Sequence, residues 1–302
     1  MIIWQDTFLS FTYDRPPVAT STILHNDMFG AHRQLSNKHG QHSDSTKYNF
    51  TEAVFRVCLV ILDWTREETA TSQSPTVLFG TDKDRRYSQI RSLLSWKRQF
   101  DLVLEDSVQY LRDDSKCETI QQHAERLGLK IHVASGLCRM YRLCVDALRE
   151  DRQQGQGYDA VGIQAAQEEE QLTSEFAMHA TEAVRGFLDM YQLSRTVCRS
   201  WPFVHNAVSS AVMLREFLVG GGGGGGQQAG SSTPPNNQQQ PQQRMQALRE
   251  EWTRRSEPLI IKLIGVLENE ERESEWLDAD TNVRHSGPHS RALRALKESY
   301  GR

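Results

Sequence analysis

Residues 120–148, "IQQHAERLGLKIHVASGLCRMYRLCVDAL", decide the fold class of this chain. Apolar side chains recur in this stretch at steps of four and three residues. They are Ile120, Ala124, Leu127, Ile131, Ala134, Cys138, Tyr141, Val145 and Leu148. Because this spacing keeps one face of a helix apolar, it predicts a long amphipathic helix with that face buried.

Helical spacing continues on both sides of this stretch. Residues 50–68 are apolar on most of a helix surface, which predicts a helix buried on several sides. Apolar positions in 85–111 and 172–191 again follow steps of three and four. A further helix is predicted after Ser200, with Pro202 in its first turn, where a missing N–H costs little. No long segment alternates with a period of two, so we expect an all-α, multi-helix bundle.

Residues 220–243, "GGGGGGGQQAGSSTPPNNQQQPQQ", form a low-complexity insertion. It has no core-forming side chain, so burial cannot offset the entropy of ordering it, and we expect a disordered linker. A flexible coil of this length spans roughly 27 Å on average. The predicted organisation is a helical regulatory domain over 1–219, the linker over 220–243, and helices in 244–302, interrupted near Pro258, that pack back on the first domain.

The composition limits the classes of function. The chain has 302 residues and a net charge of −4, which argues against a protein that coats nucleic acid. Its five cysteines are widely spaced without a C-x2-C pair, which favours buried thiols in a reducing compartment. No signal peptide and no apolar run of about 20 residues occurs, so we expect an intracellular, soluble protein with no membrane partner.

Three clusters of polar residues are candidates for chemical sites. Histidines and aspartates between residues 25 and 44 match no metal-ligand spacing and are interpreted as a solvated loop; they are His25, Asp27, His32, His39, His42 and Asp44. The segment 112–118, "RDDSKCE", is similar to the Mg²⁺-binding acidic pairs of all-α prenyl-diphosphate enzymes. However, Glu118 does not fit their spacing and there is no second acidic cluster, so Asp113 and Asp114 are interpreted as part of a capped turn between helices.

The third cluster is the most basic stretch of the chain. It contains Lys83, Arg85, Arg86, Tyr87, Arg91, Trp96, Lys97 and Arg98. Such a stretch can contact phosphates, but acidic residues lie close by, and charge runs are usually solvated helix faces. No metal, cofactor or catalytic residue is therefore assigned, and no enzymatic activity is expected.

The first residues of the chain carry a resemblance to a known family. A helical stretch with Trp4 and Asp6 precedes an Arg15-Pro16 step in "DRP", and this pattern resembles the fungal-specific transcription factor domain. That domain is the middle homology region of fungal zinc-cluster (Zn2Cys6-type) transcription factors, where the motif reads "GRP" and Asp14 replaces the glycine. The late segment "SWPFVHNAVSSAVMLREFL" and the Gly/Gln-rich insertion are also similar to this family.

The resemblance implies a nuclear protein that regulates transcription. Trp4, Asp6, Arg15 and Pro16 would be structural signature residues with no catalytic role. DNA would be bound only through an N-terminal zinc cluster, which is absent from this chain. Either the cluster is encoded upstream of Met1, which the helical opening favours, or the protein has lost its DNA-binding part. The resemblance is compatible with transcriptional co-regulators, a small-molecule effector and a homodimer.

Two other functions stay open at this point. The first is an α-helical protein-interaction adaptor unrelated to transcription, which helix-pair repeats of fixed period would favour, although none is visible. The second is an all-α enzyme acting on prenyl diphosphates, which would require Mg²⁺-dependent turnover that is lost when Asp113 is replaced.

Overall fold

The computed structural model describes residues 47–73, 82–154, 160–219, 236–278 and 288–301. The helices are α1 (Phe50–Gln73), α2 (Asp82–Glu105), α3 (Gln109–Arg112), α4 (Ile120–Gln154), α5 (Ala160–Leu193), α6 (Arg195–Cys198), α7 (Trp201–Val219), α8 (Asn236–Asp278) and α9 (Pro288–Tyr300). A 3₁₀ turn, Asp114–Lys116, lies between α3 and α4. Of the described residues, 92% are helical and none lies in a strand, which confirms the all-α class.

The chain divides into two compact units, Met1–Val133 and Ala134–Arg302, and each contains part of α4. In the first unit α1 packs against α2. The buried residues of α1 include Ala53, Val57, Cys58, Ile61 and Leu62, so this helix is buried on several sides, as predicted. Ser92 Oγ and Trp96 Nε1 of α2 donate to the Glu67 carboxylate of α1 at 3.1 and 2.8 Å.

Two helices of the first unit begin with reciprocal side-chain caps. Asn49 Oδ1 accepts from the Glu52 amide at 3.0 Å, while Glu52 Oε2 accepts from the Asn49 amide at 3.1 Å. Thr119 and Gln122 make the same exchange at the start of α4, at 3.2 and 3.3 Å. Each exchange satisfies N–H groups that have no partner inside the helix, and so it fixes the residue at which the helix begins.

The helical pattern predicted over 85–111 is interrupted in the structure. Helix α2 ends at Glu105, because the Val108 amide donates to Tyr48 O at 2.9 Å and so leaves the helical ladder. The Tyr48 amide donates to Asp106 O at 2.7 Å, which gives an isolated parallel bridge between Tyr48 and Ser107. Leu94, which the pattern placed on the apolar face, is 56% exposed.

In the second unit α5 lies against α7 and α8, and α9 lies against the same two helices. The rings of Phe176 in α5 and Phe217 in α7 meet edge to face at 5.3 Å. Both rings are buried, together with Phe187, Met190 and Leu263. Helix α7 begins directly after Ser200, whose carbonyl accepts from the Phe203 amide at 3.1 Å, so Pro202 lies in the first turn as predicted.

Helix α8 differs from the prediction at two places. It begins at Asn236, inside the segment assigned to the disordered linker, while residues 220–235 lie outside the described residues. Glutamine has a high helix propensity, so the glutamine-rich segment before Arg244 can extend the helix. The helix also continues through Pro258, although an interior proline costs about 3 kcal/mol. Buried residues on both sides of it, Trp252 and Ile260, offset that cost by packing.

Cys58 and Cys138 are buried free thiols, whereas Cys117 and Cys144 are partly exposed. Burial raises the pKa of Cys58 far above its ordinary value and raises the pKa of Cys138 to about 12. The expectation of buried thiols is therefore met by two of these four cysteines. Among the helices of the described residues, none is both long enough and apolar enough to cross a membrane.

Candidate functional site

Several residues singled out in the sequence lie outside the part of the chain that the structure describes. These are the signature residues Trp4, Asp6, Arg15 and Pro16 and the histidines and aspartates of residues 25–44. The candidate sites below therefore come from the described helices and from the turn between α3 and α4.

A network of charged side chains joins the C-terminal end of α5 to α8. It consists of Tyr191, Arg195, Arg199, Glu270 and Glu273, and we call it the arginine–glutamate cluster. Arg195 Nη2 donates to Glu270 Oε1 at 2.8 Å and to Glu273 Oε1 at 2.6 Å. Arg199 donates to the second oxygen of each carboxylate, at 2.9 Å to Glu270 and 3.1 Å to Glu273. Tyr191 Oη donates to Glu270 Oε1 at 3.0 Å.

Local sequence spacing presents these groups to one another. Arg195 and Arg199 are four residues apart, on and just after the short helix α6. Glu270 and Glu273 are three residues apart on one face of α8. The two pairs are more than 70 positions apart in the sequence, and the packing of α8 against α5 brings them together.

Glu270 is the buried centre of the cluster. Only 5% of its side chain is exposed, against 47% for each of the two arginines. Burial alone would raise the pKa of Glu270, but the hydrogen bonds from Arg195, Arg199 and Tyr191 outweigh burial and lower it. Hydrogen bonds to Glu273 and Glu270 raise the pKa of Arg195 above its ordinary value. The buried carboxylate is therefore ionised and holds two arginines that still reach solvent.

An open cleft of about 540 Å³ borders this cluster. Its lining consists of Tyr191, Arg195, Asn269, Arg272 and Glu273. Two cationic side chains and one anionic side chain give the lining a net positive charge. Arginine binds carboxylate and phosphate groups through paired N–H donors, so this cleft suits an acidic group better than a basic one.

The turn between α3 and α4 contains the acidic pair of "RDDSKCE". Asp113 Oδ1 accepts from the Ser115 amide at 3.0 Å and from Ser115 Oγ at 2.8 Å. These hydrogen bonds lower the pKa of Asp113. The interpretation of this segment as a capped turn is therefore confirmed, since Asp113 caps the 3₁₀ turn Asp114–Lys116.

Asp114 contacts the first turns of α4 instead. Its Oδ1 lies 3.1 Å from His123 Nδ1 and 2.5 Å from Arg126 Nη2. Cys117 Sγ is close by, and the ligand atoms of Asp114, Cys117 and His123 all lie within 4.8 Å of one another. We call these three residues the turn triad. Burial raises the pKa of the Cys117 thiol, although the neighbouring Arg126 cation opposes this shift.

The basic stretch is, where described, a solvated helix face. Arg98 donates from both Nη atoms to the Glu105 carboxylate at 2.7 and 3.2 Å, and both side chains are exposed. Trp96 is bound to Glu67 of α1. This supports the interpretation of the stretch as a helix surface, and side chains 82–89 lie outside the described residues.

The arginine–glutamate cluster was not predicted from the sequence. Its signal was present as an R-x3-R spacing before α7 and an E-x2-E spacing in α8. Neither spacing identifies its partner. The turn triad was only partly visible in the sequence, because Asp114 belongs to the acidic pair of "RDDSKCE", whereas Cys117 and His123 were assigned no role.

Comparisons of the chain with models of protein families, with characterised proteins and with solved structures gave no match. The class that the fold defines is an all-α helical protein. The resemblance to the fungal-specific transcription factor domain stays a prediction.

Proposed function

We propose that this chain is a helical recognition module that binds an acidic segment of a partner protein in the cleft beside the arginine–glutamate cluster. Its proposed setting is transcription in the nucleus, as the regulatory domain of a fungal zinc-cluster transcription factor. In this role the chain is not an enzyme, and DNA is contacted only through a separate zinc-cluster domain. The observation that carries the recognition role is the net positive, arginine-lined cleft.

The chemistry of the lining favours an acidic ligand. Arg195 and Arg272 offer the N–H groups of Nη1, since Nε and Nη2 of both residues already donate within the protein. Asn269 adds its side-chain NH₂ group, and Tyr191 adds an aromatic ring. The Arg195 guanidinium already lies over the Tyr191 ring, 5.5 Å from its centre. A cation held against an aromatic ring has fewer rotamers to lose when a ligand carboxylate arrives, so binding costs less entropy.

Glu270 holds Arg195, which lines the cleft, in position. Because it is buried and ionised, it fixes Arg195 and Arg199 through hydrogen bonds at 2.8–3.1 Å. Glu273, by contrast, is 46% exposed and shares the same two arginines. An incoming carboxylate can therefore compete with Glu273 for the arginines while Glu270 keeps them in place.

The transcriptional setting is supported by the sequence resemblance alone. A regulatory domain of this type would act by binding a co-regulator or an effector with different affinity in two states. The proposed acidic ligand of the cleft is compatible with a co-regulator, since activating segments are often acidic and flexible. The adaptor unrelated to transcription shares the cleft and differs only in its setting.

Fluorescence anisotropy with a labelled oligoglutamate peptide tests the recognition role. We expect the peptide to bind the full chain, and Arg272→Ala to weaken binding by about three- to tenfold, with the effect shrinking at high salt. Arg254→Ala is the matched control, because Arg254 is an exposed arginine of the same helix and does not line the cleft. Equal binding by both variants, or preference for oligolysine, would contradict the proposal.

A reporter assay separates the two settings. The chain is fused to an unrelated DNA-binding domain in yeast, and transcription from a promoter carrying its site is measured. We expect the fusion to change reporter output and Arg272→Ala to reduce that change, with Arg254→Ala unaltered. Peptide binding without any change in reporter output would support the adaptor and overturn the transcriptional role.

A further inference from the structure

The turn triad combines three kinds of metal ligand in a small volume. Asp114 offers a carboxylate, Cys117 a thiol and His123 an imidazole, and their ligand atoms lie within 4.8 Å of one another. Asp114 Oδ1 and His123 Nδ1 are already 3.1 Å apart. In a tetrahedral zinc site the ligand atoms lie about 3.3–3.7 Å apart, as follows from metal–ligand bonds of about 2.0–2.3 Å. Because the Cys117 thiol lies within 4.8 Å of the other two ligand atoms, it would have to move closer by at most about 1 Å.

From this arrangement we infer that the turn triad is a binding site for a divalent transition metal of the zinc class. The donor set selects this class of ion. Thiolate and imidazole ligands favour zinc and its neighbours, whereas Mg²⁺ and Ca²⁺ take oxygen ligands. The inference thus differs from the magnesium site considered for "RDDSKCE", since Asp113 caps the 3₁₀ turn and is engaged with Ser115.

The local fold allows such a site to form. Asp114 and Cys117 belong to a short turn, and His123 lies in the first turns of α4, whose start is fixed by the Thr119–Gln122 cap. The Asp114 side chain is 62% exposed, so an ion can enter from solvent and water can complete its coordination. Cys117 Sγ is 3.4 Å from the Tyr110 carbonyl, close enough for a weak hydrogen bond that a thiolate would give up.

Arg126 is a cationic neighbour of the proposed metal site. Its guanidinium contacts the Asp114 carboxylate, and it also interacts with Cys117. Arg126 and His123 both contact Asp114 Oδ1, so metal binding at that oxygen requires the carboxylate to turn and present Oδ2 to Arg126. Carboxylate ligands are commonly hydrogen-bonded in this way by a second layer of residues, which fixes their orientation. The thiolate and the carboxylate together neutralise the divalent ion, so Arg126 leaves the bound site with a net charge of +1, which the solvent at this exposed turn screens.

The inference does not depend on the proposed function, because the turn triad and the cleft use different residues. It is tested with the untagged full chain, stripped with a chelator and titrated with Co²⁺, which reports a thiolate ligand by a charge-transfer absorption band. We expect one equivalent of Co²⁺ with this band, displaced by Zn²⁺. The band should be lost in Cys117→Ser, and the metal affinity should fall at least about tenfold in His123→Asn.

Cys144→Ser is the matched control, since Cys144 is also partly exposed and lies outside the triad. It should keep the band. Zinc should raise the melting temperature of the wild type and of Cys144→Ser, because a metal that binds only the folded state stabilises it. It should not change the melting temperature of Cys117→Ser, which lacks the site. Equal metal-free melting curves establish that both variants are folded. Saturating Co²⁺ without a thiolate band, or a band that persists in Cys117→Ser, would overturn the inference and indicate metal bound elsewhere.

Discussion

Replacing Glu270 by glutamine removes the buried charge of the arginine–glutamate cluster and keeps the side-chain size. Glu270 accepts one hydrogen bond from Tyr191, two from Arg195 and one from Arg199. The hydrogen bond from Tyr191 to this ionised carboxylate contributes about 1.5–3 kcal/mol. Each arginine is 47% exposed and hydrated, so its ion pair with Glu270 adds little to this contribution. We therefore expect Glu270→Gln to lower the free energy of unfolding by about 2 kcal/mol at pH 7.

The pH dependence distinguishes a lost charge from lost packing. Hydrogen bonds hold the pKa of folded Glu270 below its ordinary value of about 4.3. The stabilisation by this charge is thus complete above that value and is lost as the pH falls through the folded pKa. Urea unfolding at a series of pH values should show wild type and Glu270→Gln converging in acid.

Glu273→Gln is the matched control for this substitution. Glu273 binds the same two arginines but is 46% exposed, so its loss should cost less than about 0.5 kcal/mol. The reasoning is refuted if Glu270→Gln and Glu273→Gln cost the same. It is also refuted if the difference between wild type and Glu270→Gln is unchanged at low pH.

Three further predictions concern the two units separately. His132 is fully buried, and burial lowers its pKa to about 3. Acidification from pH 7.5 to 5 should therefore lower the free energy of unfolding of the wild type by about 2 kcal/mol more than that of His132→Leu, as measured by urea unfolding at each pH. Parallel pH dependences of the two proteins would contradict this. Phe176→Ala should cost about 3–5 kcal/mol in chemical denaturation, whereas Leu94→Ala, at an exposed position, should cost less than about 0.5 kcal/mol. Asn49→Ala should lower the free energy of unfolding by about 1 kcal/mol, because it removes the cap of α1. Circular dichroism should show a lower melting temperature, and an unchanged melting temperature would disprove the capping role.

The helices were predictable because their signals are local. The predicted stripe is buried from Leu127 to Leu148, with Tyr141 at 2% exposure, since a period of 3.6 residues is a property of the helix itself. Its first residue, Ile120, was predicted to be buried but is 67% exposed, because it lies at the start of the helix. The end of α2 was not predictable in the same way. It depends on a hydrogen bond between Val108 and Tyr48, which are 60 positions apart and which no periodicity connects.

The candidate sites also divide into those that local sequence predicts and those that depend on tertiary packing. The capped turn at Asp113 was predicted, because an aspartate and a serine two residues later interact within the turn itself. The arginine–glutamate cluster was missed, because Arg195 and Glu270 are paired only by the packing of α8 on α5. A charge pattern in a helix predicts a solvated face by default, and only tertiary structure identifies the charges that are buried.

The two buried thiols have a practical consequence for measuring stability. Cys58 lies in the unit Met1–Val133 and Cys138 in the unit Ala134–Arg302, and both are shielded from reagents in the folded state. A thiol with a raised pKa and no access to solvent reacts with an alkylating agent only after its surroundings open. Mass-spectrometric labelling rates at these two cysteines would therefore report the opening free energy of each unit within one intact chain, without any engineered probe.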